Sequence, residues 1–131
     1  MLTIFEKILL GHLVADYLLQ PEKMAVQKSA KGIKGLLICI LHCVIYTVTI
    51  CAFTSTAEPL KIGLIFLSHF PIDRWSLASQ WLKLIKGRDF IAVYQNKPQY
   101  KEISLSFSTL VYAVVDNTWH LLFLALIFQC F

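Results

Sequence analysis

Four stretches of apolar residues alternate with short polar connectors along the chain. They run from Leu2 to Gln20, from Ile33 to Thr54, from Pro59 to about Trp75 and from Ile103 to Phe131. A helix needs about 20 mainly apolar residues to cross a bilayer. The pattern therefore predicts an all-α fold, a single transmembrane domain over residues 1–131 that is a bundle of four membrane-spanning helices.

The first and third stretches are the weaker spans. The first has a short uncharged core and stops at Pro21. The third contains Pro71, which should kink or end the helix because proline removes a helical hydrogen bond. A homo-oligomer that shields these two short segments is therefore a further expectation.

A fifth helix is predicted between the third and fourth spans, over residues 75–86. Leu77, Ala78, Trp81 and Leu82 recur at helical spacing, and serine and lysine residues occupy the other side. An amphipathic helix with Trp and Lys at its margins is typical of a helix that lies in the membrane interface. The alternative is an extension of the third span into water.

Composition also favours lipid as the solvent. Hydrophobic residues make up 57% of the chain and charged residues 15%, with a mean hydropathy of +0.66, whereas soluble domains have about 45–50% and about 25%. The four cysteines lie in apolar segments, which predicts small buried side chains and not a disulfide framework. No cleavable signal is evident, since Glu6 and Lys7 interrupt the first apolar run.

The net charge of +4 is concentrated in two connectors. The first connector carries Lys23, Lys28, Lys31 and Lys34, and the third carries six Lys or Arg residues, whereas the second has only Lys61. Positive connectors stay in the cytoplasm, so both termini are predicted on the non-cytoplasmic side. The same rule explains the positive charge, so no nucleic-acid partner is expected. The expected partner is membrane lipid.

Ionisable residues inside the apolar segments are the candidate functional residues. All four histidines lie there, and so do three of the four aspartates. Such residues are costly in a bilayer and by default indicate function. The seven are His12, Asp16, His42, His69, Asp73, Asp116 and His120.

The spacing of these residues predicts a common site. One His–Asp pair lies in each of the first, third and fourth segments, and its members are four residues apart, so they share a helix face. The order is reversed in the fourth segment, which runs antiparallel to the other two, and His42 falls at a similar depth. We therefore expect a layer of imidazoles and, one helical turn (about 6 Å) nearer the cytoplasm, a layer of carboxylates.

Imidazole and carboxylate together are a ligand set for zinc, iron or manganese, and helical bundles build such sites from facing helices. We expect a divalent transition metal, zinc first, with Asp16, Asp73 and Asp116 as the candidate catalytic residues. Two bridged metals or one metal with oriented histidines would both fit. Polar contacts between helices, a proton relay and a haem are the alternatives.

Other residues near these positions are weaker candidates. Gln20, Asn117 and Tyr46 could support the site, although packing explains Tyr46 equally well, and Cys39 and Cys43 are expected to pack. Three cations at the predicted cytoplasmic mouth could attract an anionic headgroup or serve only as topology signals: Lys31, Lys34 and Arg74.

A site near one membrane face predicts hydrolysis of a lipid or another amphiphile that carries an ester, phosphoester or amide bond. Transport of a metal ion or proton is the second hypothesis, and it needs a further polar layer that the outer ends of the spans do not show. A non-catalytic scaffold with a polar core is the third.

The residues around these positions resemble a family signature. Residues 11–16, Gly-His-Leu-Val-Ala-Asp, followed by Leu19 and Gln20, are similar to the Gly-His-Leu-x-Ala-Asp signature of a bacterial inner-membrane family of unknown function with four helices. Later marks resemble it too, with Asn117 where the family has Gln: Lys34, His42, His69, Asp73, Asp116 and His120. The resemblance implies a multi-pass protein of the bacterial inner membrane. A more distant likeness to small membrane-bound metal-dependent hydrolases implies a reaction class.

Overall fold

The computed structural model of the chain describes residues 1–87 and 103–131, and the side chains of the last helix from residue 107 onward. The all-α prediction is confirmed, since the described residues contain helices and no strand. The polar connector predicted at residues 87–101 lies outside the described residues, apart from Gly87. The elements are α1 (Ile4–Leu13), a π-helical turn (Val14–Leu18), α2 (Glu22–Gln27), α3 (Ile33–Thr54), α4 (Pro59–Arg74), α5 (Leu77–Lys86) and α6 (Ile103–Cys130).

The first helix begins and ends at residues that are expected to cap or stop a helix. The Thr3 hydroxyl accepts a hydrogen bond from the Glu6 backbone N–H at 3.3 Å, and the Thr3 N–H donates to the Glu6 carboxylate at 2.6 Å. This reciprocal capping box satisfies two backbone donors of the first turn. Helical structure then stops before Pro21, where the sequence predicted the end of the first segment.

Among the residues that the structure describes, two helices, and not the predicted four, are long and apolar enough to cross a membrane. They are α3 and the Phe107–Cys130 part of α6. α4 has 16 residues, which corresponds to about 24 Å at 1.5 Å per residue and falls short of a hydrocarbon core of about 30 Å. α1 is shorter still, with 10 residues. The prediction of four full spans is therefore wrong for segments one and three, whose helices are too short.

Pro71 does not end α4, which continues to Arg74. The Trp75 N–H donates to the Pro71 carbonyl at 3.2 Å, so the last helical turn closes beyond the proline. The break comes at Ser76, whose φ of 48° lies in the left-handed region and ends right-handed helical geometry. α5 is therefore a separate helix, as predicted, and not an extension of α4.

The interior lies between α1, α3, α4 and α6. α1 and α4 each pack against both α3 and α6, and α5 packs against α6. One part of the interior is an apolar core that includes Ile50, Ile65 and Leu124. The surface of α3 is also apolar, with Leu41 and Val48 exposed.

The four cysteines are free; the predicted burial is confirmed for Cys39 and Cys43 and is wrong for Cys130. Cys39 and Cys43 are buried on α3, Cys51 is half-buried, and Cys130 is exposed near the end of α6. Buried thiols on an apolar helix behave as small hydrophobic side chains.

Candidate metal centre

The ionisable side chains of four helical elements meet in the polar part of the interior. All four imidazoles are buried there. Each predicted side chain has a charged or ring-nitrogen atom within 3.7 Å of another member of the set. The structure therefore brings together all seven residues: His12, Asp16, His42, His69, Asp73, Asp116 and His120.

The first helix changes its winding where it enters this cluster. The Leu19 N–H donates to the Val14 carbonyl at 2.9 Å, five residues back, and closes a single π-helical turn. Turns of this kind occur frequently at functional sites. Asp16 lies in this turn, 3.3 Å from His12 on its own helix and 3.1 Å from His42 on α3.

Two carboxylates connect the imidazoles across helices. Asp16 lies 3.1 Å from His42 and 3.9 Å from His120. Asp73 lies 3.0 Å from both His42 and His69. Side chains lean towards the N-terminus of their helix, so both carboxylates reach back about one turn to the histidines. Acids and imidazoles form one cluster at their side-chain ends, and the prediction of two separate layers is wrong there.

His42 is the most crowded imidazole. Its Nε2 atom lies 2.9 Å from Gln20 Nε2, 3.0 Å from Asp73 Oδ2, 3.0 Å from His69 Nε2 and 3.1 Å from Asp16 Oδ1. One ring nitrogen serves as either a donor or an acceptor, so it does not satisfy four such neighbours at once. A shared cation would satisfy the nitrogens and carboxylates together.

Three of these atoms form a regular triangle. His42 Nε2, His69 Nε2 and Asp73 Oδ2 each lie 3.0 Å from the other two. Adjacent ligands of one transition-metal ion with bonds of about 2.1 Å lie about 3.0–3.4 Å apart. Two imidazoles and one carboxylate on an octahedral face are the ligand set of non-haem iron centres. The spacing is compatible with a shared divalent transition metal.

His69 and His120 are buried with too few protein partners. Neither ring nitrogen of His120, nor Nδ1 of His69, has a hydrogen-bond partner among the described residues. A buried polar atom left in this state costs about 1–3 kcal/mol. The two rings stack with centroids 4.3 Å apart, and the Tyr46 ring stacks on His69 at 3.6 Å. Stacking fixes the ring planes, and the nitrogens still need a ligand.

Besides the His42–His69–Asp73 triangle, two further groups of three described side chains have ligand atoms within 4.8 Å of one another. One group is Asp16, His42 and His69, and the other is His69, Asp73 and His120. His69 belongs to both groups. Among the described residues, five of the seven predicted ligands therefore have metal-compatible spacing, and His12 and Asp116 lie outside both groups.

His12 has protein partners on both ring nitrogens. The Asn117 amide donates to the Ala113 carbonyl at 2.6 Å, which directs Asn117 Oδ1 towards His12 Nε2, also at 2.6 Å. His12 Nδ1 lies 3.0 Å from the Tyr46 hydroxyl and 3.3 Å from Asp16 Oδ2. The shorter amide of asparagine reaches His12 here. These contacts suit a positioning role for His12 better than direct metal binding.

Asp116 lies at the edge of the cluster. Its contact with the other six residues is to His120, 3.7 Å away and one turn along α6. Its side chain is 21% exposed, compared with 1% for Asp73. A carboxylate that water can reach can exchange a proton with a substrate, which suits Asp116 to general acid–base chemistry.

Lys28 also enters the cluster, although the sequence presented it only as a topology signal. Its Nζ atom lies 2.7 Å from Asp73 Oδ2. Burial disfavours the charged ammonium, but Asp73 and Asp16 outweigh burial and raise the pKa of Lys28 above its usual value. α3 packs closely on the turn that carries Lys28, since a Cβ atom at Gly35 would clash with the Ala30 carbonyl.

Comparison with known proteins gives a family and nothing more specific. No curated protein and no solved structure matches the chain. A family model described as a protein of unknown function, DUF3307, matches residues 4–131. The predicted resemblance to a family of unknown function is therefore confirmed. The signature motif and the likeness to metal-dependent hydrolases stay predictions. The chain belongs to the DUF3307 family of proteins of unknown function.

Proposed function

We propose that this protein is a membrane-embedded, metal-dependent hydrolase that acts on an ester or phosphoester bond of an amphiphile near the cytoplasmic interface. One observation carries the proposal: His42, His69 and Asp73 bring three ligand atoms within 3.0 Å of one another in a buried site. Two ring nitrogens of the neighbouring His120 are buried there without hydrogen bonds to described residues. A cation accounts for both features.

The distribution of side chains supports a membrane location. α3 directs Leu41 and Val48 outward and His42 inward, which is the reverse of a soluble helix. In the proposed arrangement α3 and α6 span the bilayer, and α1 and α4 complete a four-helix bundle as shorter helices. α5, which exposes Leu84 and Ile85, lies in the interface. The lysine-rich connectors face the cytoplasm and both termini face the other side, in the bacterial inner membrane that the resemblance implies.

The residues proposed to hold the metal are Asp16, His42, His69, Asp73 and His120. A divalent metal bound there would supply Lewis-acid activation of water and of the scissile group. The cluster contains three carboxylates and one ammonium, Lys28. If the carboxylates are ionised and the imidazoles neutral, a divalent cation balances the charge.

Other residues of the cluster have supporting roles in this proposal. Asp116, which is partly exposed, accepts the proton from the attacking water and returns it to the leaving group. Asn117 and Tyr46 hold the His12 ring. Lys28 holds one carboxylate oxygen of Asp73 and presents a positive charge to an anionic substrate.

The apolar part of the interior weighs against the transport hypothesis. Ile8, Ile50, Ile65 and Ile127 are buried together in one hydrophobic cluster. An ion that left the His/Asp cluster towards the termini would have to cross this region, which offers no charged ligand. A site accessible from one side suits an enzyme better than a transporter.

Metal content together with hydrolysis tests the proposal. The purified protein is analysed for zinc, iron and manganese before and after reloading, alongside His69→Ala and the matched control Glu58→Gln, which removes an exposed carboxylate. Wild type and Glu58→Gln should bind metal, and His69→Ala should not. Hydrolysis of chromogenic esters and phosphodiesters should stop on chelation and return with the metal that the protein retains.

Two results would contradict the proposal. The first is the absence of transition metal from wild type even after reloading. The second is metal binding without hydrolysis, together with ion flux in proteoliposomes that His69→Ala abolishes, which would establish transport.

A further inference from the structure

A second feature of the structure is a cleft of about 730 Å³. It lies where the connector between α2 and α3 faces the junction of α4 and α5. Two cations line it, Lys31 and Arg74, together with the indole of Trp75. Polar groups come from the start of α5: Ser76, Ser79 and Gln80. Its volume is typical of a small-molecule site.

The two cations are available to an anion. Neither has a carboxylate partner among the residues that the structure describes. Arg74 is oriented by the connector, since its Nη1 atom donates to the Ala30 carbonyl at 2.6 Å and to the Lys28 carbonyl at 3.4 Å. A guanidinium has five N–H donors in one plane, so these bonds fix the group and leave donors for a ligand.

The cleft and the cluster share structural elements. Arg74 follows Asp73, which contacts His42 and His69. The segment bound by Arg74 also carries Lys28, whose ammonium contacts Asp73. The cleft and the cluster are therefore linked through Arg74 and the connector that carries Lys28.

We infer that this cleft binds a phosphate group, as a phosphomonoester or phosphodiester, and thereby selects phosphorylated amphiphiles as substrates. The inference about substrates rests on the proposed function, whereas phosphate binding itself does not. Phosphate offers several acceptor oxygens and a full negative charge, which suit a guanidinium, an ammonium and hydroxyl donors together. Trp75 gives the cleft an apolar wall of the type that sits at membrane interfaces.

Binding measurements with matched charge variants test the inference. Wild-type protein in nanodiscs of zwitterionic lipid is titrated with inorganic phosphate, glycerol phosphate, dioctanoyl phosphatidic acid and decanoate. Lys31→Gln removes an exposed cleft cation, and Lys34→Gln removes an exposed cation three residues away that does not line the cleft. Arg74 also bonds the connector, so it is replaced by lysine and not by a neutral residue. Arg74→Lys keeps the positive charge and loses the planar guanidinium.

We expect phosphate-bearing probes to bind more tightly than decanoate. Loss of one charge-assisted bond should weaken that binding about tenfold in Lys31→Gln, and Lys34→Gln should stay within about twofold of wild type. Equal affinity for glycerol phosphate and phosphatidic acid would support the phosphate site and contradict a selection for amphiphiles. Binding of phosphatidic acid alone would support the site with a lipid headgroup as its ligand.

Two results would overturn the inference: equal weakening by Lys31→Gln and Lys34→Gln, or equal affinity for decanoate and the phosphate probes. Either result would mean that anions bind through the general positive charge of this surface and not at a specific phosphate site. Metal analysis of the same samples keeps the two proposals separate. Lys31→Gln should retain its metal, whereas a wild-type protein without metal would contradict the hydrolase and leave the phosphate result valid.

Discussion

The interior has an apolar part and a polar part, and the same helices build both. On α4, Ile65 belongs to the hydrophobic cluster and His69, one turn further, belongs to the His/Asp cluster. On α6, His120 and Leu124 are related in the same way. The one hydroxyl of the apolar cluster, on Tyr46, has a partner in His12, whereas the polar part contains buried nitrogens that no described residue satisfies.

This difference indicates that the apolar part contributes to folding stability and that the polar part is suited to ligand binding. Apolar packing favours folding and needs no ligand. Unsatisfied buried polar groups oppose folding, so their presence requires another explanation such as a bound cation. Variants in the two parts should therefore have opposite signatures: loss of stability without loss of metal in one part, and loss of metal without loss of stability in the other.

His120→Leu should give the largest effect on function. Leucine has a similar size, fills the site and removes two ring nitrogens that have no hydrogen bonds to described residues. We expect loss of bound metal and a fall in hydrolysis beyond the roughly 100-fold typical of a residue that only supports a ligand. The thermal midpoint of the chelated protein should stay the same or rise, because an unsatisfied polar group is gone.

Metal analysis and thermal unfolding of chelated samples check this expectation. Retention of full metal by His120→Leu would remove His120 from the ligand set. A large drop in the midpoint of the chelated variant would instead mean that His120 stabilises the fold by itself.

Ile65→Ala should give the opposite signature. Its side chain is fully buried in the apolar cluster, and truncation of such a side chain costs about 2–5 kcal/mol. We expect a lower thermal midpoint and unchanged metal per folded chain. Leu67→Ala is the matched control, because Leu67 is 65% exposed and should change the midpoint little. Metal loss in folded Ile65→Ala would show that the two parts are not separable.

The sequence predicted which residues form the polar part, but it did not predict how they are arranged. Helical spacing alone places His69 and Asp73 on one face, and the structure indeed has them 3.0 Å apart. The π-helical turn around Asp16 was missed because it follows from a shifted hydrogen bond and not from a hydrophobic period. Lys28 was missed because its partner Asp73 is distant in sequence, and no local pattern encodes that contact.

Span lengths show the same limit. Hydropathy predicted the third segment from Pro59 to about Trp75, close to the observed bounds of α4, but counted it as a full span although its 16 residues are too short. A membrane helix that is shorter than the bilayer has to be shielded by its neighbours, and that depends on packing. Composition therefore favoured lipid as the solvent, and the observed helix bounds leave two described helices long enough to cross it.

Asn117→Ala tests the positioning of His12 and should have an intermediate effect. The amide accepts from the His12 ring at 2.6 Å. Loss of a residue that orients an imidazole typically costs about 10–100-fold in metal affinity or activity. We expect a fall of that size in hydrolysis, and Asn117→Gln, the residue of the resembled family, should restore part of it. No recovery in Asn117→Gln, with both variants folded, would argue against an amide requirement.

Tyr46→Phe should give the smallest effect, at the boundary between the two parts. Tyr46 belongs to the apolar cluster, and its hydroxyl lies 3.0 Å from His12 Nδ1. Phenylalanine keeps the ring that stacks on His69 and loses one hydrogen bond, worth about 1 kcal/mol. We expect roughly a fivefold fall in metal affinity and a small change in thermal midpoint.

Tyr46→Leu, which also removes the stack, should lower metal affinity further. Equal effects of both substitutions would mean that the hydroxyl alone couples the apolar core to the cluster, whereas an effect of Tyr46→Leu alone would assign that coupling to the stacked ring.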